Sequence, residues 1–116
     1  MQKSIYRVAA VAVVLVAGSA VAQDRTGYQA IATGSLASAE AKINAERAIF
    51  PDRPELMLNL AAIYARTGRV AQARALYQDV LSRASVALDM PSGTVESSHM
   101  VAERGLSRLS ASVAAR

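Results

Sequence analysis

Cysteine is absent from the 116 residues, so no disulfide supports the fold and no lipid can be attached through a thiol. Helix packing has to supply the stability, which a chain of this size manages without much to spare. Histidine occurs once, at His99, and the carboxylates are not grouped; one imidazole without such helpers does not make a metal site. Ser97-Ser98-His99 sets hydroxyls beside a base, but a nucleophilic triad is assembled from residues distant in sequence and needs a third group to orient the base. A cap is the simpler role, with Ser97 or Ser98 opening a helix and His99 in its first turn. The chain therefore reads as non-enzymatic, with no catalytic residue, metal or cofactor. Aromatics make up 4% of the residues and give no platform for stacking bases, and the arginines are interleaved with Glu and Asp. Nucleic acid is excluded as a partner class on that ground.

What the sequence does contain begins with a targeting pattern. Lys3 and Arg7 precede an unbroken apolar run from Val8 to Ala17, and Gly18-Ser19-Ala20-Val21-Ala22 ends in an Ala-x-Ala pattern before Gln23. Residues 1–22 are read as a secretory signal peptide cleaved after Ala22, which places the mature chain in the periplasm or outside the cell, with no membrane association. The other reading is a retained anchor, but Val8 to Ala22 is short for a bilayer that needs about 20 residues. Lys3 and Arg7 are two of the 13 basic residues, so a mature chain carries 11 basic against nine acidic residues, a net charge of +2.

Helical spacing dominates the remainder. From Ser35 to Phe50 the chain is rich in alanine, with Leu36, Ala39, Ile43 and Phe50 on one side and Glu40, Lys42, Glu46 and Arg47 on the other. Pro51-Asp52-Arg53-Pro54 stops this helix and opens the next, Pro54 suiting a first-turn position. Two further stretches, Pro54 onward and Val70 to Arg83, meet at a Gly-Arg turn.

One offset organises these helices. Gly34 matches Gly68, Leu36 matches Val70, Ala39 matches Ala73 and Ile43 matches Tyr77, each pair 34 residues apart. The alanines allow close helix approach, and the glycines allow left-handed geometry at a helix end. Met57, Leu60, Ala61, Tyr64, Ala73 and Tyr77 fall in the register W-x2-L-G-x2-Y…A-x3-F, so the stretch from about Tyr28 to Arg83 resembles the tetratricopeptide repeat. Met57 and Ala61 replace the usual Trp and Gly, and Ser85 stands where a proline closes a typical repeat. The other reading of the same periodicity is a plain helical bundle.

The resemblance implies an all-α fold of antiparallel helix pairs over residues 23–85, a fragment of an α-solenoid. Residues 86–97, where Val86, Leu88 and Met90 alternate with polar or small residues before Pro91-Ser92-Gly93, form a turn or hairpin connector. Residues 98–116 form a C-terminal capping helix whose apolar stripe is Ala102, Leu106, Leu109 and Val113, with Arg104, Ser107 and Arg108 opposite; Gly105 weakens it by about 1 kcal/mol against alanine. The resemblance also implies a non-catalytic module that holds a protein or peptide on its concave face, here carrying Glu55, Leu58, Asn59, Ala62 and Arg66. Asn59 would hydrogen-bond a ligand backbone and Arg66 would meet a carboxylate; mere exposure of one helix face would give the same pattern. The alternative function is a structural subunit forming a homo-oligomer or a fixed part of an envelope complex. With fewer than three repeats, the domain is expected to be modestly stable or to pair through its N-terminal end.

Overall fold

The structure, a computed structural model, describes residues 27–114. In chain order these form α1 (Tyr28–Ala32), α2 (Leu36–Ile49), α3 (Pro54–Arg66), α4 (Val70–Ser82), β1 (Ala87–Asp89), β2 (Val95–Ser97) and α5 (Ser98–Ala114). The proposed signal peptide lies outside the described residues. Among them, no helix is long and apolar enough to cross a membrane.

The 34-residue step is written into the backbone. Gly34 and Gly68 both adopt left-handed φ, 87° and 82°. After α1 the Ser35 amide donates to Ala30 O at 2.8 Å, and after α3 the Arg69 amide donates to Tyr64 O at the same distance. The Gly34 and Gly68 amides donate to Ile31 O and Ala65 O, so both helices end in one six-to-one, five-to-two pattern that satisfies their orphan carbonyls. Ala39 and Ala73, the matched small residues of α2 and α4, are both fully buried.

α3 is the central element. Pro54 takes its first turn without losing a needed N–H, and Glu55 and Arg66 sit at the ends where each charge suits the helix dipole. Leu56 to Ile63 are buried without interruption, so no side of this stretch faces water. Leu56, Leu60 and Ile63 join Ile31, Ala39 and Ile43 in one apolar cluster. Met57, Leu58 and Ala61 join Ala73, Tyr77, Val80, Val101, Ala102 and Leu109 in a second, which the hairpin residues Leu88 and Met90 complete. One helix thus stacks between the pair before it and the elements after it, which is how a solenoid builds a continuous core.

β1 and β2 pair antiparallel, Leu88 opposite Glu96. The hairpin is tied to the helices at its open end. The buried Ser98 donates its amide to Val86 O at 2.8 Å, and its hydroxyl accepts from the Val86 amide at 2.9 Å. Ser97 caps α5, its hydroxyl accepting from the Met100 amide at 3.0 Å. His99 Nε2 lies 2.7 Å from Arg83 O, joining the start of α5 to the end of α4. Its partner is a backbone carbonyl and not a reactive group.

Two sequence expectations are corrected here. Val113 is not on the buried stripe of α5 but 47% exposed, because α5 runs past the end of the core; the buried positions are Ser98, Val101, Ala102, Gly105 and Leu109. Phe50 lies beyond the end of α2 and is partly exposed, with the Arg53 guanidinium 5.3 Å from its ring centroid.

A bidentate ion pair joins α2 to the turn before α4. Arg69 donates to both carboxylate oxygens of Glu40, at 2.6 and 2.9 Å, while its guanidinium lies 4.4 Å from the Tyr64 ring centroid. The hydrogen bond from Arg69 holds the Glu40 carboxyl below its ordinary 4.5. A carboxylate depressed on folding adds stability above its unfolded pKa and loses that contribution as pH falls through the folded one. Glu40→Gln is therefore expected to melt below wild type at neutral pH and level with it once the pH is well under 4.5. An unchanged gap between the two melting curves in acid would show that the pair does not stabilise the fold.

Candidate functional groove

A groove of about 230 Å³ opens between the C-terminal halves of α3 and α5. From α3 it is lined by Ala62, Ala65 and Arg66, which follow one another at helical spacing on one face. α5 supplies Gly105, Arg108, Leu109 and Ser112. Tyr77 and Val70 of α4 lie between them, with Ile31 of α1 completing the lining. The lining is mainly apolar, its charges being two guanidiniums with no carboxylate.

The five residues expected on the concave face are divided by the structure. Ala62 and Arg66 line the groove. Leu58 is fully buried within the cluster that holds Tyr77 and Val101, so it serves the core and presents nothing to a ligand. Asn59 is also wholly buried and already engaged in an interaction of its own. Glu55 is half-buried in the first turn of α3, and it is not among the groove's lining residues. The reason is that α5 and the hairpin pack where an open surface was expected, closing the N-terminal half of that face.

Tyr77 is the least ordinary side chain here. Burial pushes its phenol up to about 12, against a smaller downward pull from Arg108. It is neutral throughout the physiological range, and its ring serves as an apolar surface with a polar edge. Gly105 permits this. A Cβ on that residue would sit 2.5 and 2.7 Å from Tyr77 Cε1 and Cε2, and closer still to Cζ.

The two cations differ in setting. Arg66 is half-buried, and its Nη1 is shut off from solvent with no hydrogen-bond partner among the described residues. Arg108 is exposed on the neighbouring helix and makes no ion pair among the described residues. Arg69, Arg83 and Arg104, by contrast, each hold a carboxylate at 2.6 Å.

The residues of α5 that line the groove escaped the sequence reading, which gave that helix a capping role alone. A signal was present. A glycine inside an otherwise amphipathic helix marks a close approach, and a helix placed after a complete repeat takes the position from which the next repeat would continue the concave surface.

Among the described residues no group of His, Cys, Asp and Glu is placed to hold a metal. Residues 30–86 match the family model of the tetratricopeptide repeat. No curated protein and no solved structure matches the chain.

Proposed function

We propose, from the premise that the chain is a tetratricopeptide-repeat protein over residues 30–86, that it holds a protein partner by seating a short peptide segment in the groove between α3 and α5. Repeats of this family are protein-interaction modules and are generally non-catalytic. The observation that carries the reading is the apolar groove itself, lined by Ala62 and Arg66 of the repeat and by Arg108 of the helix that follows it. An apolar cleft with a few convergent polar groups is the usual form of a site that binds without reacting.

Ser112 gives the test, since it is exposed at the groove's edge and can be enlarged without disturbing the core. Affinity capture with the wild-type protein should return a partner that Ser112→Trp loses, while Lys42→Trp on the exposed side of α2 retains it. Equal capture by both variants would remove the groove from the function.

The basic start and apolar run of residues 1–22 support export, with the periplasm or the exterior as the working compartment. A mature protein whose first residue is not Gln23 would contradict the cleavage point. A second reading, self-assembly through the N-terminal end, draws support from Ile49 and Phe50, which stand 65% and 38% exposed at the end of α2. Sedimentation as a monomer at high concentration would dispose of it.

A further inference from the structure

We infer that Tyr77 is a specificity-determining residue of the groove, its hydroxyl donating a hydrogen bond to a main-chain carbonyl of the seated peptide. The inference rests on the peptide-binding reading above and names a contact that reads the ligand at that same site. It begins from a departure within the repeat. The pattern A-x3-F has phenylalanine at this place, so packing asks only for a ring. Tyr77 adds a hydroxyl to a side chain that is 2% exposed, and it makes no hydrogen bond among the described residues. A buried tyrosine ordinarily finds a partner for its O–H, because that group is costly to leave unmade.

The place of the hydroxyl points to a ligand. Cζ, the carbon that bears it, is the atom nearest to where a Cβ of Gly105 would stand, so the oxygen is carried next to α5. Gly105 and Leu109 line the groove together with Tyr77 itself. The oxygen is not sealed from solvent as Arg66 Nη1 is, so water in the open groove can serve it. A peptide that closes over the site displaces that water and has to replace its hydrogen bond. Burial pushes the phenol up to about 12, so it keeps a proton to donate at every physiological pH.

The form of the groove selects the acceptor. It is small and mainly apolar, which suits an apolar side chain, and each residue brings its own main-chain carbonyl with it. Inside a helix that oxygen is already bonded to the amide four residues on. An extended segment keeps it free and in need of a donor. The occupant is therefore an extended apolar segment, its carbonyl set beside the residue that fills the groove.

The test uses the purified protein and N-acetyl-X-N-methylamides, with X as Val, Leu, Met or Phe, which are uncharged and carry two main-chain carbonyls. At least one should give saturable NMR shifts at the Gly105 and Leu109 amides. Tyr77→Phe should weaken that binding about fivefold or more, with the melting temperature close to that of wild type. Replacing one carbonyl oxygen of the probe by sulfur, a weaker acceptor, should weaken binding to wild type and not to Tyr77→Phe. A change in packing alone would not produce that coupling.

Equal affinity of wild type and Tyr77→Phe for a probe that Ser112→Trp excludes would overturn the role of the hydroxyl and leave the groove reading standing. Equal weakening of both proteins by each sulfur substitution would overturn it too, as would the failure of every probe to bind. Partner capture that survives Ser112→Trp would instead sink the groove reading beneath it.

Discussion

Tyr77→Ala should lower the unfolding free energy by about 3–5 kcal/mol, the range for removing a large aromatic from a packed interior. Tyr77 is 2% exposed and belongs to the cluster that joins α3, α4 and α5. Its removal would leave a void beside an existing groove, bounded by Gly105, which has no side chain to fill it. A domain of this size has roughly 0.05–0.15 kcal/mol of stability per residue, so the loss is a large share of the whole. Urea unfolding should show the midpoint fall with the slope preserved. Tyr77→Phe keeps the ring and should stay within about 1 kcal/mol of wild type. A similarly small loss for Tyr77→Ala would mean that the ring is not the keystone of the second cluster. Because Tyr77 also lines the groove, the alanine variant should bind peptides poorly even at temperatures where it remains folded.

Much of the fold was legible from residue type because its repeat depends on residues with few substitutes. A left-handed φ at the end of α1 and of α3 calls for glycine, and Gly34 and Gly68 stand 34 residues apart in the sequence as in the backbone. Close helix approach calls for small side chains, and Ala39 and Ala73 mark it in the same register. The groove was harder to read. Whether Leu58 and Asn59 face a ligand or the interior depends on what lies across from α3, which helical spacing within α3 cannot say. Only the packing of α5 and the hairpin settles that Leu58 meets the core while Ala62 and Arg66 remain on the groove. Glu40 was expected on an exposed face and instead meets Arg69 across the repeat boundary. That pairing needs the stacked geometry as well as complementary charge. Val113 kept helical phase with the buried stripe but lies beyond the last residue of α5 that the core reaches, since Leu109 is buried and the positions after it are exposed.

Gly105→Ala inverts the usual rule for helices. In a solvent-exposed helix interior the change gains up to about 1 kcal/mol, through reduced backbone entropy. Here the added methyl would overlap Tyr77 at its Cε1, Cζ and Cε2 atoms, and a ring this deeply buried, in the same cluster as Met57, Ala73 and Val101, has little room to withdraw. Overpacking of that kind costs about 1–3 kcal/mol and outweighs the propensity gain when ring and helix cannot separate. The expected result is a net loss of stability and a shallower groove, since Tyr77 lines the groove and a displaced ring would take up part of its space. A double-mutant cycle separates the two terms. In the Tyr77→Ala background the steric term vanishes, so Gly105→Ala should there be neutral or stabilising by up to about 1 kcal/mol. The change of sign between backgrounds is the diagnostic measurement. If Gly105→Ala stabilised the protein with Tyr77 in place, the ring could not be lying against the backbone of α5, and the groove between α3 and α5 would have a different floor.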